Sequence, residues 1–90
     1  ANLMVMHAAA LYDSGEACGV ESNAAKLLAA DAAVEATEAA QITFGGFGYA
    51  KEYHVERLVR EALLFRIVPV TPQMLLSFIA EKALGLPKSY

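Results

Sequence analysis

The stretch Gln41-Ile42-Thr43-Phe44-Gly45-Gly46-Phe47-Gly48-Tyr49 decides how the chain folds. An alanine-rich helical pattern runs into it, and a shorter charged pattern, Glu52 to Glu61, leaves it. Three glycines within four residues at a helix exit call for positive φ or for close approach by another surface. Phe44, Phe47, Tyr49 and Tyr53 surround them, half of the chain's aromatic residues. Such a bend is either a well-packed turn or the seat of a flat ligand, and the residues alone leave both open.

Upstream, Ser22 is expected to cap a helix from about Asn23 to Thr43. Alanines at 25, 29, 32, 33, 36, 39 and 40 give it a broad face that neighbouring helices can approach closely, with Leu27, Leu28, Val34 and Ile42 as larger knobs. Before it, Asn2 to Tyr12 reads as a helix ended by Asp13-Ser14-Gly15, with Gly15 a left-handed cap. Its pattern is already under way at residue 3, so a truncated first helix is expected. Residues 16–20 are a short connection.

Downstream, Glu52 to Phe65 reads as a helix with Val55, Leu58, Val59, Ala62 and Leu63 buried, and with Arg57–Glu61 and Glu56–Arg60 pairs outside. Pro69 and Pro72 make residues 66–70 an extended connector. Thr71 then takes the N-cap and Pro72 the first helical position of a last helix, Gln73 to Leu84, with Met74, Leu75, Phe78, Ile79 and Ala83 inward and Gly85 and Pro87 ending it. The expected fold class is all-α, an antiparallel up-and-down bundle of four helices in a single domain, residues 1–90.

Composition limits the function classes. Hydrophobic residues make up 57% of the 90, much of it alanine, so exposed apolar surface and a covering partner are expected, and residues 1–90 read as a piece of something longer. Net charge is −3 with no basic stripe, which argues against nucleic acid. The uncharged run Ile67–Ala80 is too short to span a bilayer. The single cysteine, Cys18, excludes an intrachain disulfide and suits a reducing, cytoplasmic compartment. Asp31, Glu35 and Glu38 share a helix face, but no Glu-x-x-His partner exists, so they read as a solvated or partner-facing stripe and no metal site is expected. Gly46 and Gly48 do not complete a dinucleotide fingerprint, because Lys51 holds the third glycine's place and a helix precedes the loop. Cys18 reads as an inert thiol and His54 as a surface histidine at a helix start.

The motifs in series resemble a known family. Tyr12-Asp13-Ser14-Gly15, the helix with Asn23, Ala25 and Lys26, Gly45-Gly46-Phe47-Gly48-Tyr49, Glu52-Tyr53-His54-Val55-Glu56-Arg57 and Arg60-Glu61-Ala62 are similar, in order, to the C-terminal helical domain of acyl-CoA dehydrogenases. The resemblance implies a flavoenzyme whose parent chain dehydrogenates an acyl-CoA thioester at the α,β position, passes hydride to FAD and is reoxidised by an electron-transfer flavoprotein. It implies a homodimer or homotetramer in which the glycine turn approaches the FAD of a neighbouring subunit. By position, Gln41, Ile42, Thr43, Phe44, Gly45 and Gly46 would lie beside the adenosine diphosphate portion, and Thr71 and Gln73 on the flavin side. The family glutamine usually falls at position 42, which is isoleucine here, with Gln41 one earlier. The usual catalytic glutamate falls at Pro69, which cannot take a proton, so no residue of this stretch is expected to be the catalytic base. The fragment alone is expected to be inactive and to hold FAD weakly or not at all. The competing reading is a non-enzymatic, self-associating helical interaction module.

Overall fold

The computed structural model describes residues 1–89, and the fold class is the expected one: all-α, with four principal helices, short connections and no strand among the described residues. Helix α1 spans Asn2–Asp13, α2 Gly19–Phe44, α3 Gly46–Tyr49, α4 Val55–Ile67 and α5 Pro72–Leu84, with a 3₁₀ turn at Lys51–Tyr53. The long α2 is the spine. Helices α1, α4 and α5 each pack on it, while packing among these outer helices is sparse.

The chain climbs α2 and then descends beside it. Gln41 shares a cleft with Glu56, Val59 and Arg60 of α4. Lower down, Arg66 Nε lies 3.1 Å from Asp31 Oδ1. Lower still, Lys26 reaches the Phe65 and Val70 carbonyls. The ring of Phe78 on α5 then sits against Gly19. Helix α5 therefore continues the descent begun by α4. This leaves the slab open: the radius of gyration is 16.1 Å, against about 12 Å for a compact chain of this length.

The core is thin and made largely of alanine: Ala8, Ala25, Ala30, Val34, Val55, Ala62 and Leu75 are the buried apolar residues. Only one of the two apolar rows of α1 faces α2. Ala8 is buried and Met4 and Leu11 half-buried, whereas Leu3, Met6 and Ala10 are exposed. On α4, Val55 and Ala62 are buried as expected, but Leu58 and Leu63 are exposed; on α5, Leu75 is buried and Phe78 and Ile79 half-buried, but Met74 and Ala83 are exposed. The reason is common to all of them. Each outer helix packs chiefly on α2, with α4 adding only small contacts to α3 and the 3₁₀ turn, and so little cover buries a narrow stripe.

Gly15 closes α1 at φ 76, with Glu16 N–H on Leu11 O and Gly15 N–H on Tyr12 O, the paired bonds of a Schellman motif. Two boundaries differ from the sequence expectation. Helix α2 starts at Gly19, not after Ser22, and Cys18 holds the N-cap position. Ser22 lies inside the first turn, its N–H on Cys18 O at 2.8 Å, because the helical hydrogen bonding already begins at the Cys18 carbonyl. Helix α4 starts at Val55, not Glu52, because His54 adopts a left-handed φ of 61 that separates it from the preceding 3₁₀ turn. The segment Val55–Leu84 is apolar enough in composition for a membrane span. It is nevertheless two 13-residue helices interrupted at 68–71, each short of the ~20 residues a spanning helix needs.

Candidate functional site

The residues singled out from the sequence fall into two clusters at different heights along α2. The first is the glycine turn at its C-terminal end. Gly45 ends α2 at φ 59, ψ −136, a conformation nearly reserved for glycine, and donates its N–H to Ile42 O at 3.0 Å. Gly48 is glycine for another reason. A Cβ there would stand 2.4 Å from Gln41 O and 3.0 Å from Phe44 Cβ, so the short α3 packs directly onto the last turn of α2. Gly46 has neither reason: a Cβ on it would meet nothing within 4 Å, and its φ is not left-handed. The three glycines thus separate into one for backbone conformation, one for internal packing, and one facing open space.

The side chains of this cluster divide in the same way. Gln41 Nε2 donates to Gly48 O at 3.3 Å and ties α3 to α2. Thr43 Oγ1 donates to Ala39 O at 2.8 Å, one turn back along the helix. Ile42 is 80% exposed and Phe44 is exposed. Tyr53 packs against Phe47, with ring centroids 5.1 Å apart, and edge-on against Phe44 at 6.5 Å, so the turn carries a three-ring wall. Beside it, Gln41, Tyr49, Lys51, Glu56, Val59 and Arg60 line an open cleft of about 340 Å³. Arg60 is paired with Glu56 in that cleft, and Arg57 with Glu61 at 2.7 Å outside it, the two pairs expected from their spacing.

The second cluster is the connector into α5. Thr71 holds the N-cap position at φ −72, ψ 156, with Pro72 in the first turn, but its hydroxyl makes no capping bond. Sequence reasoning expected that cap. The backbone conformation alone starts the helix here, and the hydroxyl is left for another partner. Gln73 is exposed, and no described residue hydrogen-bonds its amide. Thr71, Pro72 and Gln73 line a recess of about 460 Å³ with Leu63, Arg66 and Ile67. Pro69 joins Val68 through a cis peptide bond.

Lys26 was visible in the sequence only as a residue that suited the family pattern. It is the sole basic side chain of α2, and it bonds Phe65 O and, at 3.1 Å, Val70 O on either side of the bend. A lone lysine in an alanine-rich helix is the signal that could have marked it. Of the three carboxylates in the acidic stripe of α2, Asp31 is taken up by Arg66, an ion pair without hydrogen-bond alignment, while Glu35 and Glu38 are exposed. From the level of Lys26 to Gly45, α2 rises by about 28 Å, so one chain does not bring its two clusters together.

Comparison with known proteins agrees with this arrangement. The family profile described as acyl-CoA dehydrogenase, C-terminal domain, matches residues 1–84. An acyl-CoA dehydrogenase of Mycobacterium tuberculosis is 44% identical over 100% of this chain and 24% of its own length. An acyl-CoA dehydrogenase of Bacillus subtilis is 43% identical over 91% of the chain and 22% of its own length. A cyclohexane-1-carbonyl-CoA dehydrogenase of Geobacter metallireducens is 40% identical over 90% of the chain and 21% of its own length. The chain therefore spans about a quarter of the length of the curated relatives it matches. No solved structure matches it. An all-helical slab with this turn, matched along nearly its whole length, belongs to the acyl-CoA dehydrogenase family, as the C-terminal helical domain of such a protein.

Proposed function

We propose that this domain contacts FAD and assembles subunits in an acyl-CoA dehydrogenase-type oxidoreductase of which residues 1–90 form one domain. The observation that carries the reading is Gly46. The space in front of its main chain is filled by no group of its own chain, so bare backbone there is open to something that approaches from outside. A flat cofactor against bare main chain fits that space, and the free groups of Thr71 and Gln73 fit its polar edge.

In this reading Gly45 and Gly46 let the backbone lie close to the adenosine diphosphate portion, with Gln41, Ile42, Thr43 and Phe44 beside it. The Thr71 hydroxyl and Gln73 amide offer hydrogen bonds on the flavin side. When bound, FAD supplies the hydride acceptor for α,β-dehydrogenation of an acyl-CoA thioester. Pro69 has no proton to take or give, so the α-proton base stands outside this stretch. An electron-transfer flavoprotein is the reoxidant, and Cys18, a free thiol, is compatible with the cytoplasm.

The separation of the two clusters supports an oligomer, a homodimer or homotetramer, in which each chain serves two cofactors. The surface supports it as well. The domain exposes 6339 Å², against about 5,100 Å² for a folded monomer of its mass, and the excess exceeds the ~800 Å² that one partner contributes to a standard interface. A self-associating module without a cofactor shares that surface but makes no use of the open main chain at Gly46.

The test is FAD retention by the complete polypeptide after gel filtration, with sedimentation run in parallel. Gly46→Ala and Thr71→Ala are expected to lose flavin while keeping the oligomer and helical content. Full retention in both variants overturns the reading.

A further inference from the structure

We infer that Lys26 is a positioning residue, whose ammonium fixes the bend between α4 and α5 and thereby the direction in which Thr71 and Gln73 present their polar groups. The inference rests on the reading of those two residues as flavin contacts. Residues 68–71 are not helical, so the final carbonyls of α4 lack the N–H donors that a continuing helix would supply. Lys26 crosses from α2 and donates both to Phe65 O, before the bend, and to Val70 O, after it. An ammonium has three donors, so one side chain can hold both strands of the bend at once. Val70 O belongs to the peptide that enters Thr71. Five residues along α2, Asp31 meets Arg66 at 3.1 Å and holds the same segment from a second point. The lysine stem lies in a small apolar recess with Ala29, Ala30 and Phe65.

Thr71 and Gln73 make no side-chain hydrogen bond to the described residues. Nothing local aims them, so their direction is inherited from the backbone, and the long-range hold on that backbone is Lys26. No other basic residue of α2 could take over.

A double-mutant cycle on FAD affinity, read by flavin fluorescence on the complete apoprotein, tests this. Lys26→Met is expected to weaken FAD binding about tenfold, and to have no more than about a twofold effect once Thr71→Ala and Gln73→Ala are present. Lys26→Arg, which keeps charge and donors, is expected to recover most of the affinity. A purely structural lysine would lower stability without this coupling. Equal Lys26→Met effects in both backgrounds overturn the inference and leave the cofactor reading intact. Unchanged affinity on replacing Thr71 and Gln73 overturns the inference together with the reading of those two residues as flavin contacts. Should Lys26→Met fail to fold, Lys26→Gln is read in the same cycle.

Discussion

Replacing Gly48 and Gly46 by alanine separates internal packing from external contact. The Gly48→Ala methyl would stand 2.4 Å from Gln41 O, 3.0 Å from Phe44 Cβ and 3.1 Å from Gln41 C. Two of these three atoms are backbone inside α2 and cannot swing aside. The short α3 must therefore lift off, and with it goes the Gln41 bond to Gly48 O. Overpacking of this kind costs about 1–3 kcal/mol, and the better helix propensity of alanine returns only about 0.5–1 kcal/mol. At Gly46 the same methyl meets nothing, so propensity acts alone and the local structure is unchanged or slightly firmer. Native-state hydrogen exchange across residues 41–53 reads the difference directly. A net gap of ~2 kcal/mol appears as amides opening about 30-fold more readily in Gly48→Ala than in Gly46→Ala. Equal protection in the two variants, or faster exchange in Gly46→Ala, would refute the division of roles among the glycines.

Gly45→Ala forces a side chain into φ 59, ψ −136 and is expected to cost about 1–3 kcal/mol, measured by denaturant unfolding; a change under ~0.5 kcal/mol would contradict it. Leu75 is 2% exposed, the most buried side chain of a thin core, and Leu75→Ala is expected to destabilise by about 2–5 kcal/mol in the same assay. The Glu81 carboxyl is held below its ordinary value, first by its hydrogen bond from Lys82; desolvation opposes this as the next largest effect, and the charges of Lys82 and Lys88 add smaller lowering effects. Its contribution to stability is therefore present above the ordinary carboxylate range and is lost as pH falls through the lowered value. Lys82→Met should return the Glu81 titration toward the ordinary value in carbon-detected NMR, and an unmoved midpoint would show that Lys82 is not the cause.

Local patterns carried much of the fold. The Gly15 and Gly85 caps, Pro72 at the start of α5 and the Arg57–Glu61 and Glu56–Arg60 pairs follow from residues within a few positions of one another, and they stand where expected. Where the sequence reading failed, backbone conformation or the arrangement of helices in space decided. Helical hydrogen bonding from the Cys18 carbonyl set the start of α2. The turn geometry at His54 set the start of α4. Packing chiefly on α2 alone left Leu58, Leu63 and Met74 exposed, which periodicity alone assigns to a core.

The same division holds for the site. Helical periodicity, punctuating glycines and prolines, and the motifs in series determined by themselves that this is an all-α domain of the acyl-CoA dehydrogenase family, because those signals are local in the chain. Only the tertiary structure told the three glycines apart, since φ at Gly45, the Gln41 carbonyl behind Gly48 and the open space before Gly46 are facts of three-dimensional placement. Only it joined Lys26 to carbonyls 39 and 44 residues away. Contacts that close so long a loop leave no periodic trace in the sequence, because what they require is a meeting in space and not a spacing along the chain.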